Sequence, residues 1–155
     1  MTVRMAVIGY GGRIRTVLEE IMQIDDSCRI AAIVDVRNEA IRRELREQGM
    51  PVDDIAFYEK AETMLEAGGI DGILIGTRCD LHTELALRII PTGIPLFLEK
   101  PVSTSIEDLI QLRDLLRKYP HRSGNVIVSF PLRLSPLTLA AKQIIDSGQI
   151  GTVEH

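Results

Sequence analysis

The sequence contains little of what marks secreted, membrane or metal-binding proteins. It has no tryptophan, 4% aromatic residues and two cysteines, Cys28 and Cys79, which lie in different segments. Two separate cysteines give neither a disulfide framework nor a metal-ligand spacing, so we expect no metal site and a reducing, cytoplasmic location. No apolar run reaches the roughly 18 residues of a membrane span, and no long apolar region follows the N-terminus. We therefore expect no membrane partner and no signal peptide.

Basic residues are also fewer than acidic residues. The 155 residues carry a formal net charge of −4, which excludes the basic footprint of a nucleic-acid-binding domain. Hydrophobic residues make up 45% of the chain and charged residues 26%, and both values are ordinary for a globular protein. The length favours one domain with a substantial core.

The N-terminal stretch has the order strand, glycine turn, helix. An apolar run over residues 4–8 breaks into a glycine cluster, and apolar residues at helical spacing follow directly. Gly9 permits a tight turn, Gly11 lets the backbone approach a diphosphate, and the helix N-terminus attracts the anion. The same spacing is also found in plain tight turns. We predict a dinucleotide site formed by Gly9, Tyr10, Gly11, Gly12, Arg13 and Ile14.

Ile14 departs from the G-x-G-x-x-G pattern, because it stands at the third glycine. That glycine normally allows a helix to pack closely on the first strand. We therefore expect the first helix to lie slightly farther from the sheet than a glycine would allow.

Apolar runs and helical patterns alternate along the rest of the chain. The predicted strands are continuous apolar runs at residues 4–8, 30–34, 56–58, 72–76, 95–98 and 126–130. Continuous rather than alternating runs indicate a parallel sheet that is covered on both faces. The predicted fold is therefore α/β, a doubly wound, mostly parallel sheet of the Rossmann type over residues 1–150, with ligands at the carboxyl ends of the strands.

The same periodicity predicts that the later helices are amphipathic, and we expect apolar surface on the last helix to be exposed. The predicted apolar faces are Leu81, Leu85 and Ile89 in the fourth helix, Ile106, Leu109, Ile110 and Leu116 in the fifth, and Leu137, Ala140, Ala141 and Ile144 in the last.

An acidic residue ends the second predicted strand. Asp35 follows Ile14 by 21 residues, close to the offset of roughly 20 expected for a carboxylate that binds the adenosine ribose. A carboxylate there repels a 2′-phosphate, which favours NAD. Arg37 could pair with a 2′-phosphate instead, so NADP stays possible. The alternative is that Asp35 is only a turn residue or a helix cap.

Further candidates follow the fourth and fifth strands. Thr77 could donate its hydroxyl near a diphosphate or ribose, and His82 lies shortly after it. Glu99, Lys100 and Pro101 follow a fully apolar strand directly, and Pro101 favours an extended conformation for the lysine. A lysine ammonium can stabilise a developing oxyanion and move a proton. The alternative is a loop salt bridge.

Taken together, these motifs resemble the glucose–fructose oxidoreductase, inositol dehydrogenase and rhizopine-catabolism (Gfo/Idh/MocA) oxidoreductases over essentially the whole chain. The residues that carry the resemblance are Gly9 to Arg13, Asp35, the loop from Thr77 to His82, Glu99-Lys100-Pro101, Arg133 to Pro136, and Ile144 to Gly151.

The resemblance implies an NAD- or NADP-binding Rossmann domain of a dehydrogenase. The reaction it implies is hydride transfer between nicotinamide and a secondary alcohol carbon of a sugar, inositol or related polyol. Lys100 would be catalytic, beside nicotinamide and the substrate hydroxyl, while Glu99 would position it and the ribose. Thr77 and His82 would line the cofactor groove, and Arg133 would reach the cofactor or the cleft.

Members of this family continue into a large sheet domain, which forms the substrate face and carries catalytic Asp and His residues. We interpret residues 151–155 as the start of that domain and expect a fragment that binds cofactor without turnover. Its parent would form a homo-oligomer. The alternatives are a non-catalytic dinucleotide-sensing or interaction module, and an NAD-retaining lyase or epimerase.

Overall fold

Six β-strands and six α-helices alternate along residues 1–154, the part of the chain that the computed structural model describes. The strands are β1 (Val3–Ile8), β2 (Cys28–Val34), β3 (Ala56–Tyr58), β4 (Gly72–Ile75), β5 (Leu96–Leu98) and β6 (Val126–Val128). The helices are α1 (Gly12–Ile24), α2 (Asn38–Glu47), α3 (Ala61–Ala67), α4 (His82–Ile89), α5 (Ile106–Lys118) and α6 (Pro136–Asp146). No helix within the described residues is long and apolar enough to cross a bilayer.

The six strands form one parallel sheet in the order β3-β2-β1-β4-β5-β6. The predicted doubly wound fold is confirmed, because the chain builds outward from β1 to β3 and then crosses back to β4. The order reverses between β1 and β4, and this switch point is where open α/β sheets bind ligands. Since all strands run the same way, their carboxyl ends lie along one edge.

Side-chain alternation in the strands produces an apolar layer on each face of the sheet. In β1, Val7 packs with α1 and α2, whereas Ile8 packs with α3, α4 and α5. Leu18 of α1 and Ile41 of α2 help to cover the first face, and Ala86 of α4 helps to cover the second. Each layer is continuous across several strands, which explains why the strands are apolar on both sides.

The predicted apolar face of α4 is confirmed at Ile89, which is buried, and at Leu85, which packs against the core, but not at Leu81. The residues that it buries are His82, Thr83, Ala86 and Ile89, whereas Leu81 precedes the helix and is 41% exposed. Apolar spacing alone could not identify His82 and Thr83 as buried, because both are polar residues whose side chains hydrogen-bond to backbone carbonyls.

The predicted apolar residues of α5 and α6 are mostly exposed, although Leu116 of α5 packs against the core. Leu112 is the buried residue of α5, whereas Ile106 at its start is 72% exposed, because α5 packs mainly beside α4 and leaves its first turn outside. All of α6 is exposed, and Leu137, for example, is 82% accessible. Periodicity identifies an amphipathic helix, but it does not supply the surface that covers it.

Candidate functional site

The glycine turn joins β1 to α1 at the carboxyl edge of the sheet. Gly9 has a φ of +83°, and a Cβ there would lie 2.7 Å from the backbone of Thr77, so both the conformation and the space require glycine. Gly11 precedes the first residue of α1 and caps it without a side-chain hydrogen bond. The N–H groups of the first turn of α1 therefore face the switch point and can bind an anion.

Ile14 fits between α1 and the sheet because a glycine, Gly76, follows β4 directly. Ile14 is fully buried, and a Cβ added at Gly76 would lie only 2.5 Å from its Cβ. The room that a glycine at position 14 would give is thus supplied by Gly76. The Ile14 side chain belongs to the core, so only its backbone can reach a ligand in the turn.

Tyr10 also turns its side chain into the core. Its ring is 6% exposed and packs with the α1 face, where burial raises the pKa of the phenol although the nearby Arg15 guanidinium acts in the opposite direction. The backbone of Tyr10 faces the candidate site, since its N–H donates to Asp35 Oδ2 over 2.9 Å.

Asp35 lies directly beside the glycine turn. Its side chain is 8% exposed, and its Oδ1 accepts a hydrogen bond from the Arg37 N–H at 2.9 Å. The guanidinium of Arg37 contacts the same oxygen at 3.3 Å and donates to the Tyr10 carbonyl. Burial by itself would raise the pKa of Asp35, but the hydrogen bonds from Arg37 and Tyr10 outweigh it and lower the pKa. The carboxylate is therefore charged and held in place.

A groove of about 460 Å³ runs over these residues. The structure brings together five predicted residues along it, namely Gly9, Gly11, Asp35, Arg37 and Thr77. Its lining also includes residues that the sequence reasoning missed, Val36, Glu59, Arg78, Leu81 and Leu85. Val36 and Glu59 could have been identified from the sequence, because they closely follow the ends of β2 and β3.

His82 lies behind this groove. Its ring is 1% exposed, with Nδ1 2.7 Å from the Pro101 carbonyl oxygen and Nε2 3.1 Å from that of Thr77. Both ring nitrogens thus face backbone carbonyl oxygens rather than the groove, so the side chain is not placed to contact a cofactor there. The imidazole instead ties the loop after β4 to the segment after β5, which carries Lys100.

Glu99 and Lys100 stand at the carboxyl end of β5 and differ in exposure. The Glu99 side chain is 8% exposed, and its Oε1 lies 3.2 Å from Arg13 Nε. Lys100 is exposed and lines a cleft of about 460 Å³ with Val102 and Phe130. The contact to Arg13 brings the end of β5 and the glycine turn together on the same edge of the sheet.

Arg133 lies away from the groove that contains Asp35. It follows β6, its guanidinium sits 5.8 Å from the ring centre of Phe130, and it lines a cavity of about 490 Å³ together with Arg13. Gly12 stands at the start of α1 with open space around it. No cluster of three or more potential metal ligands occurs within residues 1–154.

Comparisons with known proteins agree with this geometry. Residues 3–127 match the profile of a family described as an oxidoreductase family with an NAD-binding Rossmann fold. An inositol 2-dehydrogenase of Rhizobium meliloti (strain 1021) is 30% identical over 154 residues, which are 99% of this chain and 44% of that protein.

Solved structures show the same fold. The myo-inositol 2-dehydrogenase of Lactobacillus plantarum superposes with a TM-score of 0.81 at 20% identity, over 97% of this chain and 43% of that one. The scyllo-inositol dehydrogenase of Lactobacillus casei with bound NAD(H) and scyllo-inositol gives 0.79 at 20% identity, again over 97% and 43%. This chain therefore spans less than half the length of these relatives.

The profile match covers most of the chain and includes the glycine turn, Asp35 and Lys100. It agrees with the resemblance that the motifs indicated, and the sheet order places those motifs along one edge. The chain belongs to the Gfo/Idh/MocA oxidoreductase family, and its sheet is the NAD-binding Rossmann fold of that family.

Proposed function

We propose that this chain is the cofactor-binding part of an NAD(P)-dependent dehydrogenase that acts on inositol, a sugar or a related polyol. The observation that carries the proposal is the 3.2 Å contact between Arg13 and Glu99. It brings the glycine turn, where a diphosphate would bind, next to the strand end that carries Lys100. A dinucleotide across the switch point would thus extend from Asp35 to Lys100.

The binding half of the proposal rests on the turn and on Asp35. The first-turn N–H groups of α1 would hold the diphosphate, and the Asp35 carboxylate would accept the ribose hydroxyls. Val36, Leu81 and Leu85, which line the groove, would provide apolar contacts for the adenine. NAD is favoured because a 2′-phosphate would meet the charged Asp35, while Arg37 is the cation through which NADP would be accepted.

The chemical half rests on Lys100. A bound nicotinamide would accept or give the hydride. The ammonium of Lys100 would donate a hydrogen bond to the reacting oxygen and stabilise negative charge on it, and in the direction of reduction it would give that oxygen a proton. An Asp or His of a further domain would be the general base. By itself the chain would bind cofactor with little turnover, because much of the water-excluding cleft would come from that domain.

The proposed partners follow from the same comparison. The relatives are named for inositol, so the substrate of the full-length protein would be a polyol or sugar. We propose a homo-oligomer in the cytoplasm.

Calorimetric titration with NADH and NADPH tests the binding half. We expect saturable heat with NADH and weaker binding of NADPH, whereas no heat with either cofactor at millimolar concentration would refute it. Reduction of NAD by the full-length protein in the presence of myo-inositol and related polyols tests the chemical half. Binding without turnover on any polyol would favour a sensing module instead.

A further inference from the structure

Glu99 is a buried carboxylate whose cation comes from a distant part of the sequence. Its Oε1 lies 3.2 Å from Nε of Arg13, 86 residues away. A carboxylate with an 8% exposed side chain needs a close cation or several donors to stay charged. Lys100 is adjacent in sequence, yet it takes part in none of the salt bridges between residues 1–154.

The alternation of side chains at the end of β5 explains this choice of partner. Phe97 packs in the layer on the α1 side, and Leu98 packs in the layer on the opposite side. The N–H of Glu99 donates to the Ile75 carbonyl at 3.1 Å, so the backbone continues the sheet and Glu99 points towards α1. Lys100 lines a cleft with Val102, which packs against the opposite layer.

Arg13 connects two parts of the proposed site. It stands in the first turn of α1, directly after the glycine turn, and its side chain is 51% exposed. We propose, on the basis of the proposed function, that Arg13 is a positioning residue that acts through Glu99. It holds the carboxylate against α1 at the end of β5, where the nicotinamide would bind, while the alternation directs Lys100 to the other side. The lysine charge then stays available to the reacting oxygen.

This role differs from direct contact with the cofactor phosphates, and two ligands separate the two roles. ADP carries the diphosphate but neither nicotinamide nor its ribose, whereas NADH carries all three. Arg13→Gln leaves Glu99 without a cation, so NADH should bind about tenfold more weakly and ADP less than about threefold more weakly. Arg13→Lys keeps the positive charge and should restore most of the affinity for NADH.

Matched controls keep the test specific. Arg15 lies on the same helix and pairs with Glu44 at 2.9 Å on the surface, so Arg15→Gln should change neither affinity by more than about twofold. Glu99→Gln removes the charge that Arg13 compensates. The double variant with Arg13→Gln should therefore bind NADH only slightly more weakly than Glu99→Gln alone. Thermal unfolding of each variant shows that the affinities are measured on folded protein.

Three results would each overturn the positioning role. They are an unchanged NADH affinity in Arg13→Gln, equal losses for ADP and NADH, and additive losses in the double variant. An unsubstituted protein that binds neither ligand would overturn the proposed function itself, and this result is distinct from the other three.

Discussion

Lys100 is the residue on which the proposed chemistry depends. It is exposed in the cleft at the carboxyl end of β5 and forms no salt bridge with another described residue. Lys100→Met in the full-length protein should lower kcat by roughly two orders of magnitude, because the reacting oxygen loses the ammonium that stabilises its developing negative charge. Steady-state kinetics with NAD and a polyol substrate measure this. Lys118→Met, at the end of α5, is the control, and a loss of only about twofold at Lys100 would contradict the catalytic role.

Asp35 sets the expected preference between cofactors. Its carboxylate is charged and is held by the N–H groups of Tyr10 and Arg37 beside the groove. Asp35→Ser removes both the acceptor for the ribose hydroxyls and the repulsion of a 2′-phosphate. Calorimetry should therefore show NAD(H) weakened far more than NADP(H). Equal losses of affinity for NAD(H) and NADP(H) would mean that the Asp35 carboxylate does not distinguish a 2′-hydroxyl from a 2′-phosphate.

The positions of Asp35 and Lys100 near strand ends could be predicted from the sequence, whereas the contacts of Glu99 and His82 could not. Asp35 follows the apolar run of β2 directly, and Lys100 is the second residue after the apolar run of β5. The contact of Arg13 with Glu99 spans 86 residues, and the ring of His82 bonds to a carbonyl 19 residues away. Such contacts depend on how strands are placed next to one another, and local patterns do not encode that order.

At the level of elements, α1 packs closely on the end of β4 because a large residue, Ile14, faces a small one, Gly76. A methyl group in Gly76→Ala would lie 2.5 Å from the Cβ of Ile14, so this change should destabilise the fold by about 1–3 kcal/mol. Ile14→Gly should cost about 3 kcal/mol or more through a cavity and lower helix propensity. In the Ile14→Gly background, however, Gly76→Ala should cost little, because the opposing Cβ is gone.

Urea unfolding of the two single variants and the double variant measures this coupling. We expect the double variant to lose less free energy of unfolding than the sum of the two single losses, by at least about 1 kcal/mol. Losses that add to within about 0.5 kcal/mol would show that the two positions do not share the same space.

The strands were more predictable than the faces of the helices. The apolar runs of β1 to β5 each end at a glycine or a charged residue, so even the three-residue β3 was found at residues 56–58. In α5, by contrast, apolar residues occur around much of the helix, and only packing beside α4 selects Leu112 as the buried one. Sequence periodicity shows that a helix has an apolar side, whereas neighbouring elements decide which residues it buries.

At the level of the whole molecule, apolar surface is concentrated at the β6 end. Ile127 and Phe130 are 64% and 59% exposed, and Leu137 on α6 is 82% exposed. Light scattering should therefore show an average mass that rises with protein concentration, because associating copies bury this surface. Ile127→Lys together with Leu137→Glu should reduce the rise, whereas Gln143→Lys on α6 should not. A monomer at high concentration would contradict this expectation.

The most direct measurement is a crystal structure of the protein with NADH. We expect the diphosphate within hydrogen-bond distance of the first-turn N–H groups of α1. The adenosine ribose should lie on Asp35, and the nicotinamide should lie beside Lys100. A dinucleotide bound elsewhere on the molecule, or with its nicotinamide on the opposite side of the sheet from Lys100, would contradict the proposal that these strand ends form one cofactor site.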